Sequence, residues 1–294
     1  MSADDSRPQS TELLGRVRSV LHSRRVRKWS SLVEIQPQGS RRPIFGVHPM
    51  NGEVYFYHKL VPLLGLDQPI YGLRARGMDG REPPLTRIED MAAAYLQEVV
   101  QVQPHGPYLI VGRCVGSRIA FEMAQQLVRR GETVDLLCLI DPGPLPVAYS
   151  WPAHLANLGR YVRYHASRGN LITATYRSAL PRLRRARALV THRRERVEVG
   201  RLRQKTVHQA TRAALWRELV SPRHRETHYP GRVLVLVADD ALRHVDTEES
   251  WRRVAALDVR RVPGDHITMV ADHLPTIAQH LREAIDTVSE PAPQ

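Results

Sequence analysis

Cysteine is nearly absent from this chain: Cys114 and Cys138 are the only two in 294 residues. Two cysteines build no disulfide framework, and a thiol that does chemistry belongs in a reducing compartment. Long apolar stretches are missing as well. No run reaches the roughly 18 to 20 residues needed to span a bilayer, and the opening MSADDSRPQS has neither the charged nor the apolar region of a secretory leader. A cytoplasmic protein with no membrane partner is expected. Internal repeats, low-complexity linkers, zinc-finger spacings and RNP-like aromatic patterns are also lacking, so nothing marks nucleic acid as a partner.

What the chain does have is basic charge, and it is concentrated. Residues 151–230 hold 18 Arg or Lys against four Glu, a net +14 in a chain whose formal charge is +13. The remainder is near neutral. Such a segment reads as a solvated helical face, and it can also draw in an acidic macromolecule by long-range steering.

Residues 1–30 are polar and basic, with a short helix over Leu13 to His22, and read as a flexible arm. From Leu32 the texture alternates. Strands are predicted over 32–39, 43–48, 69–73, 108–111, 134–140, 229–237 and 259–262, with helices over 54–64, 91–103, the segment after Gly116, and 274–288. Strand and helix in turn imply a mostly parallel central sheet flanked by helices, an α/β fold. An Arg- and Leu-rich insertion at about 145–228 carries few strand signals and is expected to form a helical lid over the carboxyl edge of the sheet.

The chemistry concentrates at Leu109-Ile-Val-Gly-Arg-Cys-Val-Gly-Ser. An apolar strand runs into G-x-C-x-G, the pattern of a nucleophile elbow with cysteine in the usual serine position. Gly112 and Gly116 leave room for a sharp reversal that exposes Cys114, and the following helix aims its N-terminal N–H groups at the thiol. The same five residues also describe a small buried cysteine in a glycine-flanked turn. Cys138, inside Leu136-Leu-Cys-Leu-Ile140, reads as inert core.

A thiol nucleophile needs a base, a group that orients the base, and donors for the oxyanion. Asp141 leaves an apolar strand at the edge where open α/β sheets gather their sites. His266, in Pro263-Gly-Asp-His266, hangs on a tight turn before the last helix and stands out among 14 histidines; His273 is its nearest competitor. Pro49-Met-Asn-Gly52 supplies an oxyanion loop, with the backbone N–H groups of Met50 and Val115 as donors. His48 lies near the cleft, where its neighbours suggest loop support.

With these residues in place, the chain resembles the thioesterase domains that terminate nonribosomal peptide and polyketide assembly lines, members of the α/β-hydrolase superfamily. The similarity runs from Leu32 to Val288 through LVEIQPQGSRRPIFGVHPMNG, QPHGPYLIVGRCVGSRIAFEMAQQLVRRGETV, LLCLIDPGP, YPGRVLVLVADD and VPGDHITMV, and defines a domain over 31–290. It implies a free-standing thioesterase or acyltransferase with a Cys114–His266–Asp141 triad. The enzyme would act on an acyl or peptidyl chain carried on phosphopantetheine, and Arg113, His48 and Asn51 are candidate substrate or carrier contacts. The partner implied is an acidic acyl or peptidyl carrier protein docking near the basic lid. No metal and no cofactor of its own is expected. Two departures from the family pattern stand out: cysteine replaces serine at 114, and Ser117 replaces a glycine. Three rivals remain open: a dienelactone-hydrolase-like enzyme with its acid at Asp239 or Asp240, a non-catalytic protein that grips an acidic partner, and an editing thioesterase that clears misloaded carriers, a type that usually has a shorter lid and a serine.

Overall fold

The computed structural model describes residues 29–78, 82–145, 227–239 and 244–289, with the isolated helical positions 159, 162, 163 and 166. The chain divides into Met1–Ser30 and Ser31–Gln294, and the sheet and its helices belong to the second unit. The basic arm and nearly all of the lid insertion lie outside the described residues.

Seven strands form one sheet: β1 (Leu32–Gln36), β2 (Ile44–Val47), β3 (Ile70–Leu73), β4 (Tyr108–Arg113), β5 (Val134–Ile140), β6 (Arg232–Ala238) and β7 (Ala256–Val262). Their order is β1-β3-β2-β4-β5-β6-β7. Only β1 runs antiparallel, against β3; the other pairs are parallel. The apolar runs of β4, β5 and β6 occupy the middle of the sheet, where both faces are covered and alternation is not required. The edge strand β7 reads ALDVRRV and is mostly half-buried, as charged edge strands are. It begins at Ala256, earlier than expected, because its ladder with β6 starts at Arg232↔Ala256.

Helices cover both faces. They are α1 (Tyr55–His58), α2 (Val61–Leu64), α3 (Ile88–Val102), α4 (Gly116–Arg129), α5 (His244–Arg252), α6 (Thr268–Ala271) and α7 (Leu274–Ser289). On one side Ile277, Ala278, Leu281 and Ile285 of α7 pack with Leu109, Val111, Cys138, Ile140, Leu234 and Leu236. Residues of the opposite parity, such as Ile110, Leu137, Leu139 and Val235, are equally buried and face the layer made by α3 and α4. The single helix expected over 54–64 is two short ones, because Pro62 sits in the first turn of α2, where its missing N–H costs nothing. Helix α5, HVDTEESWR, gives no periodic signal. Its anchor is Trp251, fully buried, with its indole N–H donating to the Gly143 carbonyl at 3.0 Å and its ring edge-on to Phe121.

The strand order reverses beside β2: the chain leaves β2 for β3 on one side, then returns past it to β4 on the other. In open α/β sheets the carboxyl ends flanking such a switch form the binding crevice. Here those ends carry the turn after Val47 and the elbow after Arg113. Tyr57 braces them from below, its hydroxyl lying 2.8 Å from the Val47 carbonyl oxygen and 3.0 Å from that of Val111.

Candidate active site

The elbow is built as its glycines require. A Cβ on Gly112 would fall 2.5 Å from the Gly116 carbonyl oxygen, and one on Gly116 would fall 2.4 Å from that of His48. Neither position tolerates a side chain. Between them Cys114 adopts φ 56°, and Asp141 adopts φ 43°; among the described residues these are the only non-glycine positions at positive φ. Such strain costs about 1–3 kcal/mol and concentrates where function fixes geometry. The register pairs Arg113 with Ile140, so each residue is the first beyond its strand. Backbone bonds hold both, from Cys114 N–H to Ile140 O at 3.0 Å and from Asp141 N–H to Leu236 O at 2.7 Å.

Asp141, His266 and Cys114 come together at the carboxyl edge of the sheet. The His266 Nδ1–H donates to the Asp141 carboxylate, and the ring is also hydrogen-bonded to the Cys114 thiol. The hydrogen bond to Asp141, then that to Cys114, raises the His266 pKa to about 9 against the opposing effect of burial. Burial pushes the Cys114 thiol up. The His266 hydrogen bond and charge, the Val115 N–H and the Arg113 charge outweigh it, and the net shift is downward. The two shifts together favour a thiolate–imidazolium pair. Cys114 is half-buried and reachable. Cys138 is fully buried in the core, where burial drives its thiol far up and keeps it protonated.

The loop carrying His266 is fixed by its neighbour. The Asp265 carboxylate accepts from the N–H groups of Ile267 and Thr268, each at 2.8 Å, while Asp265 N–H donates to Thr268 Oγ1 at 2.7 Å. Gly264, at φ 92°, makes the turn before it. Asp265 is not among the site residues expected from sequence; an Asp next to a glycine turn bonds local backbone N–H groups readily.

Across the crevice, Pro49 to Gly52 form a turn closed by Gly52 N–H to Pro49 O at 2.9 Å, and the Gly52 carbonyl accepts from Ala75 N–H at 2.9 Å. Val115 N–H is directed at the Cys114 sulfur, and Met50 sits half-buried in the turn. Asn51 is exposed at the tip, its Oδ1 accepting from Glu53 N–H at 3.1 Å. His48 differs from the expectation of a substrate or carrier contact. It is fully buried, with Nδ1 2.8 Å from Pro49 O and Nε2 2.8 Å from the Tyr95 hydroxyl. Both nitrogens are engaged inside the protein, which leaves the loop-supporting place. Burial lowers its pKa to about 4, so the ring is neutral.

Arg113 is half-buried beside the thiol, with its guanidinium over the Phe56 ring at 5.4 Å from its centre, a cation–π contact. The competing positions stay apart. Asp239 is exposed at the end of β6, its N–H bonded to Val262 O at 2.8 Å, while His266 is paired with Asp141. Asp240 lies outside the described residues. The His273 carbonyl accepts from Thr276 N–H at 3.1 Å in the first turn of α7, so His273 opens that helix.

The model of the thioesterase domain family matches residues 42–285, and the chain belongs to that family. Over 105 residues it is 42% identical to the nonribosomal peptide synthetase btyA of Aspergillus terreus, covering 36% of this chain and 11% of the relative. Over 113 residues it is 41% identical to a dimodular nonribosomal peptide synthase of Bacillus subtilis, covering 38% of this chain and 5% of the relative. The matched segment is thus a small part of those proteins. The structure resembles the NocB thioesterase domain from the nocardicin cluster with a TM-score of 0.61 at 23% identity, covering 87% of this chain and 99% of that one. The fold is that of the α/β-hydrolase thioesterase domains. No described helix is long and apolar enough to cross a membrane.

Proposed function

We propose that this chain is a cysteine-dependent thioesterase or acyltransferase. It releases or transfers an acyl or peptidyl chain from the phosphopantetheine thioester of a carrier protein in natural-product biosynthesis. One observation carries the reading: Asp141, His266 and Cys114 hydrogen-bond in sequence at the carboxyl edge of the sheet, with the thiol held at positive φ. The synthetases among its relatives support the substrate class, and the concentrated basic charge of residues 151–230 supports an acidic carrier as partner.

In this mechanism the Cys114 thiolate attacks the thioester carbonyl, and the negative charge moves to the carbonyl oxygen. Met50 N–H and Val115 N–H receive it, Val115 turning from the sulfur, whose charge is spent, to the new oxyanion. Donors of this kind contribute a few kcal/mol each in the transition state. Collapse breaks the bond to the pantetheine sulfur, which leaves with the proton of the His266 imidazolium. The acyl group now sits on Cys114 as a thioester. Neutral His266 then takes a proton from water, an amine or a hydroxyl; the acceptor attacks, and Cys114 leaves as thiolate. Because the intermediate keeps thioester activation, amines compete for it better than they would for a serine ester. Asp141 holds the ring by Nδ1 throughout and stabilises its charged form.

Intact-protein mass spectrometry with an acyl-pantetheine thioester tests the reading. A transient adduct on Cys114, lost in Cys114→Ala, is the expected result. Turnover with no adduct at that residue would overturn it.

A further inference from the structure

We infer that His48 and Tyr95 are positioning residues that aim the Met50 N–H at the oxyanion. The inference rests on the acyl-cysteine reading and adds a buried relay to it. Pro49 O and Met50 N–H belong to one peptide unit, which is planar, and in the trans form its oxygen and hydrogen point in opposite directions. The described residues contain one cis peptide, Gly106–Pro107, so this unit is trans. Fixing the oxygen therefore fixes the direction of the N–H.

Two donors fix that oxygen. Gly52 N–H reaches it at 2.9 Å and His48 Nδ1 at 2.8 Å. A carbonyl only accepts, so Nδ1 must carry the proton, and in a neutral ring Nε2 is then an acceptor. The Tyr95 hydroxyl, 2.8 Å away, is its donor. The Arg76 backbone lies against that hydroxyl, in the segment whose Ala75 N–H holds Gly52 O. The chain of bonds therefore runs from Tyr95 through His48 to Pro49. It ends on the far side of the peptide that presents the Met50 N–H. His48 and Tyr95 are fully buried, so no water competes for these bonds, and each has a single satisfied arrangement. Tyr95 selects the His48 tautomer, and the tautomer selects the peptide orientation.

The test separates oxyanion stabilisation from thiol reactivity. Acylation of Cys114 by acetyl-pantetheine thioester passes through an oxyanion, whereas alkylation by iodoacetamide needs the thiolate and no oxyanion donor. Tyr95→Phe and His48→Leu are expected to slow acylation about 10- to 100-fold, below the full loss of one oxyanion donor, with alkylation rates and their pH profile unchanged. His48→Asn, whose side-chain amide can present an N–H at the place of Nδ1, is expected to recover most of the acylation rate. Tyr95→Phe removes one atom and serves if His48→Leu fails to fold. Unchanged acylation in Tyr95→Phe, or a parallel fall in acylation and alkylation, would overturn the relay alone. A wild-type protein that alkylates but never acylates at Cys114 would overturn the acyl-cysteine reading and the relay with it.

Discussion

Cys114 and Asp141 both stand at positive φ, 56° and 43°, each one residue past the end of neighbouring strands whose last residues pair, Arg113 with Ile140. The thiol and the carboxylate that orients its base thus emerge side by side, both through strained turns.

That strain predicts an inverted stability order at position 114. Glycine is normally about 0.5–1 kcal/mol less stabilising than alanine within regular structure, but at positive φ alanine bears a penalty of about 1–2 kcal/mol that glycine escapes. Cys114→Gly should therefore be more stable than Cys114→Ala by about 1 kcal/mol in thermal or denaturant unfolding, with both inactive. The reverse order would mean that the turn relaxes.

Thiolate character should appear in alkylation kinetics. The Cys114 pKa is lowered from 9.0 and that of His266 is raised to about 9, so iodoacetamide should react readily at neutral pH. In His266→Asn the rate midpoint should move up, because burial of the thiol then acts without the His266 hydrogen bond and charge that oppose it. A profile that this substitution leaves unmoved would show the imidazole to be uncoupled from the sulfur.

Asp141 and Asp239 compete for one role, and mutation distinguishes them. Asp141→Asn should lower kcat by about 10³- to 10⁴-fold, the order seen when a triad carboxylate becomes an amide. Asp239→Asn, at an exposed strand end, should change it little. A severe loss in Asp239→Asn would restore the dienelactone-hydrolase arrangement.

His48 should contribute to acid instability. Its folded pKa, about 4, lies below the ordinary 6.5 because burial disfavours the charged ring. Its stabilising contribution is therefore complete above about 6.5 and is lost as pH falls through about 4, amounting to roughly 3 kcal/mol. In His48→Asn, unfolding free energy measured between pH 6.5 and 4 should lose that part of its slope. An unchanged slope would place the titration elsewhere.

Much of the site was legible in the sequence because its constraints are local. Gly112 and Gly116 bracket Cys114 at fixed spacing, Asp141 interrupts a run of five apolar residues, and His266 follows a Pro-Gly turn. The sheet was legible for the same reason, since β4, β5 and β6 are unbroken apolar segments. What was hidden depends on long-range packing. Tyr95 sits on the buried face of α3, where its spacing matches that of any core residue, and only the fold sets its hydroxyl against His48. One histidine among 14 gave no sign that both its nitrogens were taken. Helix α5 is charged along most of its length and is held by Trp251, a contact that periodicity does not record. The break within 54–64 was visible in Pro62, yet the apolar spacing continues across it.

The reversal of strand order beside β2 also decides which distant parts of the chain must meet to build the crevice. The turn after Val47 and the elbow after Arg113 meet only through the pairing of β2 with β4, across β3 and α3 in the chain between them. Neither strand end makes the crevice alone: it exists only as a tertiary contact across the β2–β4 join.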